Sequence, residues 1–106
     1  MIRLEDFHKL DVKIGTVIFA EKVEDSDKLI NLKIDFGHEK KQVITALAEY
    51  LDPKHFLGKQ IPVLLNLPPR KFRGVESQGM IIAANVNGKP VLLHPESKVP
   101  NGSNVI

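Results

Sequence analysis

Between Leu29 and Phe36 every second residue is apolar, with Ile30, Leu32, Ile34 and Phe36 on one parity and Asn31, Lys33 and Asp35 on the other. A period of two over eight residues predicts a strand with one face in a core and one in water. Gly37 to Lys40 supplies a turn, and Lys41 to Ala46 continues as a third strand in a hairpin with the second. Upstream, Asp11 to Ala20 is apolar on both parities, so the first strand is either central or strongly bent, and Gly15 permits a bulge or a sharp coil there. Gln60 to Leu67 reads as a fourth strand, in which Pro62 points to an edge or a strand start. A fifth apolar run covers Met80 to Ala84, and Asn87-Gly88 predicts a turn before a short strand from Pro90 to His94.

Helical signals are few. Ile2, Leu4, Phe7 and Leu10 are spaced for a short helix, and Asp52, Pro53 and Gly58 mark the N-cap, first position and stop of another. Five short strands with a short helix between the third and fourth match the order of an all-β, five-stranded OB-fold barrel. In that fold ligands lie across strands 2 and 3 and between the loops joining strands 1 to 2 and 4 to 5. With 106 residues, 42% of them hydrophobic and 26% charged, the chain is predicted to form one domain, 1–106, flanked by extensions at 1–10 and 85–106.

Composition removes several chemistries. The absence of cysteine excludes disulfides, thiolate metal sites and thiol nucleophiles. His8, His38, His55 and His94 share no metal-ligand spacing, so no metal and no cofactor is expected. No nucleophile elbow, phosphate-cradling glycine loop or calcium loop is present, which argues against an enzyme. The first ten residues lack the apolar stretch of a signal peptide, and no run reaches the ~18 residues of a membrane span, so a cytoplasmic location without membrane contact is expected.

A net charge of +2 does not by itself indicate a nucleic-acid partner, but its distribution is uneven. Residues 59 to 73 hold Lys59, Arg70, Lys71 and Arg73 with no acid, whereas residues 21 to 27 carry four acids against one lysine. Three cations in four positions suit a run of phosphates; the plain alternative is a solvated loop. The predicted loop 68–79 adjoins the strand ends of the groove, where Asn66, Ser77 and Gln78 could add hydrogen bonds, and Lys33 shares the wet face of strand 2. Phe72 is expected to tuck inward as an anchor between long cations, and Met80 to serve as a core gap-filler or a contact at the groove edge.

Beyond these patterns, DVKIG at 11–15, DKL at 27–29, Asn66 with Leu67, KFRGVESQGM at 71–80 followed by IIAA, and VPNGS near the end resemble the tRNA-binding domain family. That family includes the C-terminal domain or separate beta subunit of methionyl-tRNA synthetase, free structure-specific tRNA-binding proteins, and the chaperone CsaA. The resemblance implies an OB-fold module, usually homodimeric through its flanking segments, that binds tRNA by folded shape and backbone. Carried onto matching positions, the implied RNA contacts are Lys28, Asn66, Lys71, Arg73, Ser77, Gln78 and Met80, to which the charge pattern adds Lys33 and Arg70. The implied partners are tRNA, a second copy of the chain and the catalytic part of methionyl-tRNA synthetase, with no DNA expected; the alternative is a dimeric chaperone for unfolded export-bound polypeptides. Two departures stand out: Val23-Glu24-Asp25-Ser26 replaces the family's frequent His-Pro pair, and Pro68-Pro69 replaces the more usual Lys-Pro.

Overall fold

A computed structural model describes all residues, 1–106, as an OB-like barrel. Its principal sheet is antiparallel and built from β1 (Val12–Lys22), β2 (Ile30–Asp35), β3 (Lys40–Thr45), β4 (Gln60–Leu64) and β7 (Met80–Ile81), in the spatial order β3-β2-β1-β4-β7. Two small hairpins stand outside it: β5 (Arg70–Phe72) with β6 (Val75–Ser77), and β8 (Ala83–Val86) with β9 (Lys89–Leu92). Helix α1 (Leu4–Phe7) precedes the barrel, and a 3-10 turn at Pro53–His55 bridges β3 and β4, its N-cap Asp52 accepting from the Lys54 N–H at 2.9 Å. No helix is long and apolar enough to cross a membrane.

The alternation in β2 does what period-two burial requires. Ile30, Leu32 and Ile34 are completely buried and join Val17, Phe36, Val43, Phe56, Ile61 and Val63 in one core cluster. Each such side chain contributes roughly 1.5–3 kcal/mol by leaving water. The first strand is apolar on both parities because it changes partners. Residues 12–16 pair with β4 and residues 16–22 with β2, and the register slips between Val17 and Phe19. The bulge therefore falls at Ile18, which is exposed, and not at Gly15. Gly15 instead permits a close approach. A Cβ there would lie 2.5 Å from Ile34 Cγ2 and 2.7 Å from Phe36 Cε1, so the strand crosses β2 at a separation only glycine allows.

Where β2 diverges from the start of β1, the C-terminal stretch takes the free edge. Ile14 N–H donates to Ser103 C=O at 2.9 Å, Gly102 N–H to Ile14 C=O at 2.7 Å, and Val105 N–H to Val12 C=O at 2.9 Å. Thr16 Oγ donates to Asn101 Oδ1 at 2.7 Å, and Gln60 clamps Val99 through both backbone groups. Residues 99–105 thus form part of the barrel wall of their own chain, and Leu92 packs against the core.

Three sequence expectations need correction. Pro62 marks neither an edge nor a strand start, because β4 lies between β1 and β7. Its C=O accepts from Ile82 N–H at 3.1 Å, so its missing N–H faces the β7 side just beyond that strand's ladder, which pairs only Val63 and Leu64. The strand expected over Met80 to Ala84 breaks after Ile81, and Ala83 begins a separate hairpin. The basic loop 68–79 contains a hairpin of its own, turned by Arg73 and Gly74 at φ 51° and 80°, the two positive values of a type I′ turn.

Candidate nucleic-acid interface

Pairing within the β5–β6 hairpin decides where its charges point. Arg70 lies opposite Ser77, Lys71 opposite Glu76 and Phe72 opposite Val75. Opposed residues share a face and successive residues alternate, so Arg70 and Phe72 face one way and Lys71 the other, with Arg73 at the tip. The three cations that look contiguous in sequence are therefore distributed over two faces and a turn. Phe72 is half-buried, lines a small pocket with Ile44, and carries the Arg70 guanidinium 5.1 Å over its ring; it is not packed into the core cluster.

Lys28, Lys33, Arg70, Lys71 and Arg73 are all exposed, and none pairs with a carboxylate. The ion pairs present are Arg3–Glu5, Lys9–Asp6, Lys13–Asp11 and Lys41–Glu39, all elsewhere on the surface. Lys33 Nζ sits 4.9 Å over the ring of its cross-strand neighbour Phe19, leaving the ammonium on the open side of β2. Lys28 is held where two loops meet: its N–H donates to Ser26 Oγ at 3.3 Å, and its C=O accepts from Ala48 N–H at 3.0 Å.

Charge is not uniform around the hairpin. Arg73 and Lys22 share a cleft of about 440 Å³ with Glu21, Glu24 and Asp25, so its acids outnumber its bases. Asn31 also lines that cleft and has a buried, unpartnered Oδ1. On the side bearing Arg70 and Phe72 lies an apolar groove of about 480 Å³ lined by Ile44, Leu47, Tyr50, Met80, Ile81 and Ala84 among others. Met80 is half exposed on the edge of that groove.

The polar candidates are differently placed. Asn66 Oδ1 accepts from Asp11 N–H at 2.9 Å and its Nδ2 donates to Lys9 C=O at 2.6 Å, stapling the end of β4 to the segment before β1. Ser77 is buried; its Oγ accepts from Ile44 N–H at 3.0 Å and donates to Gly79 C=O at 2.9 Å. Gln78 Oε1 accepts from Gln42 N–H at 2.9 Å. The structure thus brings the cations to the surface and turns these three polar side chains onto the backbone. Sequence reasoning missed Gln42, whose Nε2 donates to Glu76 C=O at 2.9 Å and whose Oε1 accepts from Asn31 at 3.2 Å. No local signal marks it, since its partners are more than ten residues away. Tyr50, half exposed beside the apolar groove, was also missed.

A family described as "Putative tRNA binding domain" matches residues 12–104. A methionine-tRNA ligase of Archaeoglobus fulgidus is 53% identical over 104 residues, covering 98% of this chain and 16% of that protein. One from Flavobacterium johnsoniae is 44% identical over 106 residues, 99% of this chain and 15% of its own length. The chain therefore spans about a sixth of the ligases it matches. Among solved structures, a MetRS-related protein from Pyrococcus horikoshii superposes with a TM-score of 0.96 at 39% identity, covering 100% of this chain and 98% of that one. The chaperone CsaA from Bacillus anthracis superposes with a TM-score of 0.88 at 34% identity, covering 100% and 99%.

Proposed function

The chain belongs to the tRNA-binding domain family, and from that membership we propose that it is a non-catalytic module serving methionyl-tRNA synthetase, as its C-terminal domain or a separate subunit. It holds tRNA by shape and backbone, while a catalytic part outside this chain performs aminoacylation. The observation that carries the reading is that the candidate cations Lys28, Lys33, Arg70, Lys71 and Arg73 are exposed and without carboxylate partners, a state they share with Lys22, Lys40, Lys54, Lys89 and Lys98. Unpaired surface cations attract a polyanion and release its counterions, whatever the base sequence. The proposed homodimer uses apolar surface in the flanking extensions, where Ile2, Leu4, Val86 and Val91 are at least half exposed.

A gel shift with several tRNAs at graded salt tests this. With about four phosphates neutralised, a fourfold rise in salt weakens binding roughly a hundredfold. Failure to retard any tRNA at low salt would refute the RNA reading, and aminoacylation by the isolated chain would refute the auxiliary one. The apolar groove beside Tyr50 and Met80 and the likeness to CsaA favour one second reading, a chaperone that binds unfolded polypeptide. Competition between tRNA and an unfolded peptide separates the two, because apolar binding responds far less to salt.

A further inference from the structure

The outer edge of β3 is closed by side chains more than by backbone. Gln78 N–H donates to Gln42 C=O at 2.8 Å, which is the one backbone pair there, while Gln42 N–H is met by Gln78 Oε1 and Ile44 N–H by Ser77 Oγ. Beyond this point the chain must press against β4, since a Cβ on Gly79 would stand 3.0 Å from Val63 Cγ1 and 3.1 Å from Leu64 O. The β5–β6 hairpin pairs with no strand of the principal sheet. A lone two-stranded hairpin is marginal in water, so its orientation depends on these contacts and on the Gln42 to Glu76 bond.

We propose that Ser77 and Gln78 are positioning residues for RNA binding: through the Ser77 hydroxyl and the Gln78 Oε1 they latch the hairpin to the edge of β3 and so fix where Arg70, Lys71 and Arg73 stand. The single hydroxyl proton of Ser77 goes to Gly79 and its oxygen already takes Ile44, in a residue only 5% exposed. The acceptor of Gln78 is likewise engaged by Gln42. The Ser77 oxygen is buried as well as engaged, whereas Gln78 holds the latch through Oε1 and keeps an Nε2 with no partner in the chain. The inference rests on the RNA-binding reading and adds to it how the hairpin's charges are held in register.

The test combines amide hydrogen exchange with tRNA binding at graded salt, on the whole chain carrying Ser77→Ala, Gln78→Met or Ser77→Thr. Exchange of the Ile44 amide in Ser77→Ala, and of Gln42 in Gln78→Met, accelerates roughly tenfold as each loses its acceptor. Both variants then bind tRNA more weakly and with a shallower dependence of log affinity on log salt, because fewer phosphates are neutralised at once. Ser77→Thr keeps the hydroxyl and restores amide protection and slope. If Ser77→Ala does not fold, Gln78→Met decides, since it removes a single bond from a half-buried side chain. Weaker binding with the slope unchanged and both amides still protected would mean direct contact with RNA and overturn the proposal. So would fast exchange at Gln42 and Ile44 with affinity and slope unchanged. Absence of tRNA binding by the unaltered chain would instead remove the RNA reading on which the proposal stands.

Discussion

Replacing Gly15 by alanine tests how closely β1 crosses β2. The added methyl would lie 2.5 Å from Ile34 Cγ2 and 2.7 and 2.8 Å from two carbons of the Phe36 ring. Carbon atoms in contact normally sit about 3.5–4.0 Å apart, so overlap of roughly 1 Å arises against two side chains at once. Neither can step aside cheaply, because Ile34 is 0% and Phe36 3% exposed within the core cluster. Overpacking of this kind costs about 1–3 kcal/mol. Alanine also stiffens the unfolded chain, which returns about 0.4–1 kcal/mol. The net loss is about 1.3 kcal/mol, which for a domain of this length lowers Tm by about 6 °C. Thermal unfolding followed by circular dichroism, with urea titration as a second measure, gives the value. Adding Phe36→Leu makes room for the methyl, so the double variant loses less than the two single losses combined. A Gly15→Ala protein as stable as the original, or more so, would refute the crowding attributed to this crossing.

Lys71→Ala and Arg73→Ala each weaken binding to different tRNAs alike and lower the salt slope by roughly 0.7–0.9, with the circular dichroism spectrum unchanged; a loss confined to one tRNA would contradict backbone recognition. Glu24→Gln and Asp25→Asn, in the cleft facing Arg73, raise tRNA affinity about two- to fivefold at low salt, measured by the same gel shift, because a repulsive charge beside the hairpin tip is removed. Asn66→Ala frees Asp11 N–H and Lys9 C=O, accelerating hydrogen exchange at Asp11 while leaving the β2–β3 amides protected.

What was legible in the sequence is what local pattern encodes. The alternation of Ile30 to Phe36 predicted its burial residue by residue, and Asp52, Pro53 and Gly58 located a turn of helix through capping chemistry alone. Long-range pairing was not legible. Pro62 looked like an edge residue because nothing near it in sequence reveals that β7 continues the sheet beyond β4 from Val63 onward. Arg70, Lys71 and Arg73 read as one patch because a run of letters carries no face, and the positive φ of a non-glycine at Arg73 is not visible in composition. The bonds of Ser77 and Gln78 to Ile44 and Gln42 were not legible either, because each spans more than thirty residues.

The stretch that lies along β1 has a consequence in time. Thr16 and its partner Asn101 are 85 positions apart, and at about 5–20 residues per second the ribosome separates their emergence by roughly 4 to 17 s. For that interval the opening half of the first strand has exposed backbone on one side. Pairing so remote in sequence is slow to form, and that edge stays open to stray association until residues 99–105 have emerged.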